Sequence, residues 1–237
     1  MNKIVSILIL FVSVIKVNAQ IDELGSWNIL NIKLNLNDKY AVFIEPQLRS
    51  LLLYNNFHYH EFKGGVIYNI NKHFHVSIGT GNYVTYREGG SFVEPVLTDE
   101  MRTWMQFGSK QYLGVFTIDH RYRAEQRFIG NNYRNRFRYR LNTVLPLKGN
   151  KVVPGVFYAS VFNEIFLTDV PPYFERNRFY TGIGYDISNT LSIQTGYVYQ
   201  FDYRLFDEIG RNFFQLGILV TLQQSKDKLR FFPLISN

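Results

Sequence analysis

Polar and apolar side chains alternate one by one along much of the chain. In residues 133–147 one parity is mostly aromatic or aliphatic, and the other carries four arginines: Arg134, Arg136, Arg138 and Arg140. A period of two is typical of a β-strand, because successive side chains on a strand point to opposite faces. Residues 40–54, 112–127 and 190–205 repeat this pattern, whereas no sizeable segment has a helical period. The chain is therefore predicted to be all-β.

Eleven strand candidates can be traced, many of them 12 to 16 residues long: 24–36, 40–54, 58–70, 74–87, 101–109, 112–127, 133–147, 152–167, 176–187, 190–205 and 211–223. A strand of a globular protein has about 5–6 residues, whereas a tilted membrane strand needs about 9–11. The pattern predicts a transmembrane antiparallel up-and-down β-barrel of 10–12 strands, with its apolar face toward lipid and its charged face toward the lumen. Because bacterial barrels have even strand numbers, either a strand is missed or a terminal segment, 20–36 or 226–237, lies outside the wall.

The connections are predicted to alternate in length. Short turns rich in Asn, Asp, Gly and Ser are expected at 37–39, 71–72, 109–111, 148–150 and 188–189. Longer breaks are expected at 55–57, 88–100, 130–132, 168–175 and 206–210. Membrane barrels place short turns at one end and longer loops at the other, so the two sets are expected at opposite ends.

Residues 1–19 have the features of a secretory signal peptide. Lys3 precedes an apolar run from Ile4 to Ile15, and Val17-Asn18-Ala19 fits a cleavage site before Gln20. The run is shorter than the roughly 20 residues of a spanning helix. We expect export to the cell outer membrane, a barrel over 20–225, and a C-terminal tail or short last strand over 226–237. The expected partners are the lipid bilayer and the barrel-assembly machinery.

Composition narrows the classes of function. The 237 residues contain no cysteine, so disulfides cannot stabilise the exported protein. Loss of Lys3 and Lys16 with the signal peptide lowers the formal net charge from +7 to +5. Nucleic-acid binding is not expected of an exported protein without a Lys-rich tail or a groove-binding motif.

The strongest candidate site is the hairpin of residues 112–147. A register that pairs Arg127 with Arg134 implies three further pairs along the hairpin: Glu125 with Arg136, Arg123 with Arg138, and Arg121 with Arg140. Together with Asp119, this face has seven arginines and two acids, a local charge of +5. We therefore expect a charge cluster that faces the lumen.

Acids from other strands are needed to balance this cluster, because like charges at such spacing repel each other. Five candidates lie on polar faces: Glu45, Glu61, Glu164, Asp186 and Asp202. If these acids pair with the arginines, salt bridges fill the lumen, a role that suits the planar guanidinium group. If the cluster remains underpaired, it attracts small anionic solutes or lipid head groups. The sequence leaves both alternatives open.

The sequence predicts no enzyme, metal site or cofactor. His58 and His60 lie more than ten residues from the turn beside His73 and His75, so at about 3.3 Å per residue the two pairs cannot share a metal. Asp119 and His120 are adjacent in a strand and point to opposite faces, so they cannot act as a catalytic pair. The chain also lacks a Gly-x-Ser-x-Gly turn.

Several motifs are similar to those of a known family: Trp27, Glu45-Pro46-Gln47-Leu48-Arg49, residues 121–127, residues 133–140, Asn163-Glu164, Asn177-Arg178-Phe179-Tyr180 and Gly182-Ile183-Gly184-Tyr185. On these motifs the chain resembles the domain of unknown function 2490 family, uncharacterised predicted outer-membrane β-barrel proteins of Bacteroidetes-type bacteria. The resemblance covers nearly all of residues 21–223. It implies a fold and a location, and no activity.

The leading hypothesis for function is a small porin-like pore or solute-binding barrel that favours anions through its Arg-rich lumen. The alternative is a structural or interaction barrel with a salt-bridged, closed lumen. A soluble periplasmic β-barrel or sandwich is the third alternative.

Overall fold

The alternating segments form the strands of a closed β-barrel in the computed structural model, which describes residues 24–203 and 208–224. Eleven strands make the wall: β1 Leu24–Asn35, β2 Tyr40–Leu52, β3 Asn55–Asn69, β4 Phe74–Arg87, β5 Val93–Leu113, β6 Phe116–Ile129, β7 Asn132–Pro146, β8 Phe157–Thr168, β9 Phe174–Asp186, β10 Leu191–Asp202 and β11 Ile209–Gln223. The prediction of an all-β barrel of 10–12 strands is confirmed. The predicted signal peptide and the predicted tail or last strand lie outside the described residues.

The barrel closes by a parallel pairing between its first and last strands. Every other pair of neighbouring strands is antiparallel and consecutive in sequence, whereas β1 runs parallel to β11 from Leu24 opposite Asn212 to Asn35 opposite Gln223. With eleven alternating strands, the first and the last run in the same direction, so their pairing must be parallel. The suspicion that the segment 20–36 lies outside the wall is therefore wrong for residues 24–35.

The two ends of the barrel differ less in loop length than predicted. We call the end with connections 36–39, 70–73, 114–115, 147–156 and 187–190 the lower end, and the end with connections 53–54, 88–92, 130–131 and 169–173 the upper end. The longest described connection, 147–156, lies at the lower end, where only short turns were expected. Two upper connections, 53–54 and 130–131, have only two residues. The predicted alternation of loop lengths is therefore wrong.

Side chains shape three of the lower turns. The side-chain oxygen of Asn37 accepts hydrogen bonds from the backbone N–H groups of Lys39 and Tyr40, both at 2.9 Å. Asn71 and Ser188 accept the equivalent bonds in the turns that they begin. Asn and Ser are common in turns for this reason, and these positions correspond to predicted turns.

The distribution of apolar side chains is inverted relative to a soluble protein. Ile78 and Met105 on the outer face are 59% and 65% exposed, whereas Arg121 and Glu164 inside the barrel are 2% and 0% exposed. One part of the interior is apolar and contains a cluster of seven buried residues: Trp27, Ile29, Phe162, Tyr180, Val198, Phe213 and Leu219. The charged side chains fill the rest, so the interior has an apolar part and an ionic part.

Candidate functional site

The arginine-rich hairpin of β6 and β7 has the register that the sequence predicts. Four cross-strand pairs form: Arg127 with Arg134, Glu125 with Arg136, Arg123 with Arg138, and Arg121 with Arg140. The two-residue turn at 130–131 joins these strands without a bulge, so the parity of one strand fixes the parity of the other. Of the nine predicted cluster residues, Asp119 and seven others are buried, and Arg134 at the upper end is partly exposed.

Glu125 and Glu164 are the two central acids of this cluster. Glu125 accepts hydrogen bonds from Arg136 Nε at 2.7 Å and from Arg138 Nη1 at 2.6 Å. Glu164 forms salt bridges with Arg121, with Arg138 Nη2 at 2.8 Å, and with Arg178 Nη1 at 3.5 Å. Arg138 therefore connects two buried carboxylates into one network. Such a network is stable only when its charges are paired and hydrogen-bonded.

Glu164 is the predicted acid partner that forms salt bridges with the predicted cluster. Glu45 and Glu61 instead bind Lys63 Nζ at 2.6 and 2.7 Å. The other two acids form their described contacts on β9 and β10: Asp202 with Arg176, and Asp186 with Ser192. Across-barrel distances decide these partners, and strand parity does not predict such distances.

Two acids that the sequence analysis missed do bind the cluster. Glu100 on β5 binds Arg127 and, at 2.7 Å, Arg102. Glu175 lies 2.9 Å from Arg127 Nη1, and also contacts Arg134 and Arg136. Glu100 and Glu175 both lie within connections that the sequence predicts, 88–100 and 168–175. Glu100, Arg102 and Trp104 are all even-numbered and lie on the same face of the strand. This shared parity could have shown that β5 begins before residue 101.

Two β-bulges explain why period-two reasoning fails at two interior positions. In β9 the register shifts so that Phe166 faces Arg176 and Leu167 faces Phe174, which leaves Glu175 as the extra residue. In β3 the extra residue is His58, between Tyr59 opposite Arg49 and Phe57 opposite Ser50. A bulge places two consecutive residues opposite one, so neither position follows strand alternation.

Aromatic rings complete the interior beside the arginines. The Arg49 guanidinium lies 3.5 Å from the Trp27 ring centroid, and that of Arg123 lies 4.3 Å from the Trp104 ring centroid. Trp104 can lie against β4 because Gly79 has no side chain: a Cβ there would be 2.2 Å from the indole. Stacking on aromatic faces stabilises a desolvated guanidinium. The sequence analysis did not predict these contacts.

The interior is filled at mid-height. Side chains less than 2% exposed extend inward from eight different strands: Trp27, Glu45, Lys63, Glu125, Glu164, Tyr180, Val198 and Gln215. Among the described residues, one cavity lies toward the lower end of the barrel and another toward the upper end. A layer of packed ionic and aromatic side chains therefore separates an upper cavity from a lower cavity.

The upper cavity has a volume of about 520 Å³ and a basic lining. Ten of the described lining residues are basic: Arg49, Lys63, Arg102, Arg127, Arg134, Arg136, Arg138, Arg176, Arg178 and Arg211. Four are acidic: Glu61, Glu100, Glu175 and Asp202. The connection 169–173 borders the cavity and is fixed to β7, since Asn135 donates two hydrogen bonds to Asp169. These bonds lower the pKa of the Asp169 carboxyl.

His58 and the pair of His73 and His75 line different cavities. His58 lines the upper cavity, whereas His73 and His75 line the lower one. In residues 24–203 and 208–224 no three His, Cys, Asp or Glu side chains are grouped so that they could hold a metal ion. The same residues include no helix long and apolar enough to cross a membrane. That the protein is not an enzyme stays a prediction.

Comparison with known proteins identifies a family for the chain. The family described as "Protein of unknown function (DUF2490)" matches residues 24–207. A comparison with curated proteins and a comparison with solved structures each found no match. The match covers all the strands from β1 to β10.

Proposed function

Because the chain belongs to the DUF2490 family, whose function is unknown, we propose a function from the geometry: an outer-membrane barrel with an occluded lumen, which binds an anionic solute in its upper cavity. The single observation that carries the solute class is the charge of the cavity lining, ten basic residues against four acidic ones.

Membrane insertion is supported by the outer face of the wall. Large apolar side chains on that face are exposed on neighbouring strands, among them Phe62, Ile78, Met105 and Phe137. A monomeric soluble protein rarely exposes so extended an apolar surface. In a bilayer the same surface contacts acyl chains, and the closed sheet leaves no unpaired strand edge facing them.

An anionic ligand is supported by unused hydrogen-bonding capacity in the upper cavity. The Nε atoms of Arg49, Arg102, Arg134 and Arg178 are buried and have no hydrogen-bond partner among the described residues. Guanidinium groups bind carboxylates and phosphates through two parallel hydrogen bonds. A volume of about 520 Å³ is within the range of small-molecule sites, roughly 300–1,000 Å³. A small polycarboxylate or organic phosphate fits both the charge and the space.

Binding is favoured over conduction because the lumen is filled at mid-height. The salt-bridged, closed lumen of the second hypothesis is thus combined here with the anion preference of the first. An anion could leave the upper cavity toward the lower end only if Glu125, Glu164 and their arginines separated.

The binding proposal predicts that the purified protein binds citrate and that Arg134→Gln weakens this binding by about tenfold or more. Loss of one hydrogen bond to a charged group costs roughly 1.5–3 kcal/mol, and 1.4 kcal/mol is about tenfold in affinity. Arg134 is suitable because it lines the cavity, and its described salt bridge, to Glu175, is long at 3.5 Å. Isothermal titration calorimetry in detergent measures the dissociation constant.

Arg87→Gln is the matched control for this titration. Arg87 is exposed at the upper end and does not line the cavity, so its loss removes the same charge without changing the site. Equal weakening in both variants, or binding of a neutral sugar as tightly as citrate, would contradict a specific anion site.

The occluded lumen predicts no steady conductance in planar bilayers. The filled layer at mid-height leaves no water-filled path, so we expect a baseline like that of protein-free bilayers. A reproducible unitary conductance would show that the layer opens. The pore hypothesis would then replace the binding proposal.

A further inference from the structure

The lower cavity is small and has a basic lining. Its volume is about 80 Å³, and its basic lining residues are Lys33, Lys72, Lys110, Arg121, Arg123 and Arg140. His73 and His75 also line it, and among the described residues no Asp or Glu does. The upper cavity, by contrast, has four acids in its lining. The lower cavity is therefore a separate place where positive charge is concentrated.

Lys33 is the clearest sign that a counter-ion belongs there. This side chain extends from β1 into the interior and is only 5% exposed. Among the described residues, no carboxylate lies within salt-bridge distance of its ammonium group, and the charge of Lys110 repels it. A buried charge without a partner costs several kcal/mol. An anion in the cavity would remove that cost.

The surrounding groups are held in place to donate hydrogen bonds. Lys110 is only loosely paired, since its Nζ lies 3.8 Å from Asp119. The backbone of Lys110 binds His73 twice, through its N–H at 2.7 Å and through its carbonyl to the imidazole at 3.1 Å. Gly108 makes room for the His75 ring, because a Cβ at that position would lie 2.0 Å from it. Residues of seven strands, β1 to β7, and of the turn 70–73 thus line the cavity.

We propose that the lower cavity binds one tetrahedral, doubly charged oxyanion of the phosphate class. Lys33 and Lys110 supply charge from opposite strands, and Arg121 and Arg140 supply guanidinium donors. A chloride ion would neutralise less of this charge. A volume of about 80 Å³ is far below the roughly 300 Å³ at which sites for larger solutes begin. The phosphate could be free or could belong to a lipid head group.

The test is a titration of the whole purified barrel with inorganic phosphate at constant ionic strength. We expect Lys33→Met to lower phosphate affinity by about tenfold or more, which corresponds to 1.4 kcal/mol. Without phosphate, Lys33→Met should unfold at the same or a higher denaturant concentration, because an unpaired buried charge is gone. Lys39→Met is the matched control, since Lys39 is exposed in the turn 36–39 at the same end. It should leave the affinity within about twofold.

Each outcome decides the proposal. No binding of any phosphate-class probe by the unmodified protein, or equal losses in the variants at positions 33 and 39, would overturn it. If Lys33→Met does not fold, Lys110→Gln removes the second ammonium and should lower the affinity similarly. Citrate binding in the upper cavity should be unchanged by Lys33→Met. The proposal for one cavity can therefore be contradicted without contradicting the proposal for the other.

A second arm separates the two sources of phosphate. Dihexanoyl phosphatidic acid is titrated beside inorganic phosphate. Binding of inorganic phosphate supports a free ion, and binding of the lipid alone supports a head group. Failure of both ligands would leave the site without a phosphate-class ligand and would overturn the proposal.

Discussion

Replacing Met105 with arginine should destabilise the barrel by about 2–4 kcal/mol, whereas replacing Leu113 with arginine should cost about 0–1 kcal/mol. Both side chains lie on the outer face of β5, and they are 65% and 67% exposed. Met105 lies within the strand and faces Ile78 and Ala124, while Leu113 ends it at the lower turn. A charge on the lipid-facing side of a strand costs most at the middle of the bilayer and little near its surface.

Reversible unfolding in denaturant from lipid vesicles gives the two free energies. Because Met105 and Leu113 are almost equally exposed, a difference between the two free energies reports depth in the bilayer and not burial. In a water-soluble barrel both substitutions would be surface changes, within about ±0.5 kcal/mol of the unmodified protein. Two equally small values, together with recovery of the protein in the soluble periplasmic fraction, would rule out membrane insertion.

Glu164→Gln should cost about 3–5 kcal/mol of unfolding free energy. The Glu164 carboxylate is 0% exposed and forms salt bridges with Arg121, Arg138 and Arg178. Glutamine keeps nearly the same shape but leaves three buried guanidinium groups without that negative charge. Removing one member of a buried ion network is strongly destabilising for this reason.

Glu88→Gln provides the control for the same unfolding measurement. Glu88 pairs with Arg211 at 2.7 Å, but its side chain is 59% exposed at the upper end. An exposed pair is worth about 0–1 kcal/mol. If Glu164→Gln cost no more than Glu88→Gln, water would have to reach the central network, and the closed layer would not exist.

The sequence predicted the parts of the fold in which side-chain parity is unbroken. The β6–β7 register followed from parity and one short turn. The start of β5 was missed because Gly89, Gly90 and Pro95 resemble a loop, although the strand begins at Val93. In β8 the alternation of polar and apolar side chains is weak, because this strand borders the apolar part of the interior. Its inward Phe162 and Phe166 give both faces of the strand apolar side chains.

The candidate site could be predicted only in part. Parity identified which arginines point inward, but not which acids reach them across the barrel. Glu175 and His58 are extra residues at bulges, where parity itself is interrupted. Lys33 could not be predicted as a site residue, because its surroundings depend on distant strands whose described residues bring no carboxylate to the cavity.

The β1–β11 seam has a consequence for biogenesis. Every other pair of adjacent strands can form its hydrogen bonds progressively from the connection that joins the two strands. The pair β1–β11 has no such connection, and its partners are separated by nearly two hundred residues. Closing so long a loop is entropically unfavourable and slow. Before closure the nascent sheet has two unpaired edges, each of which could template aggregation. We therefore expect a chaperone or insertase to shield both edges until the last strand arrives.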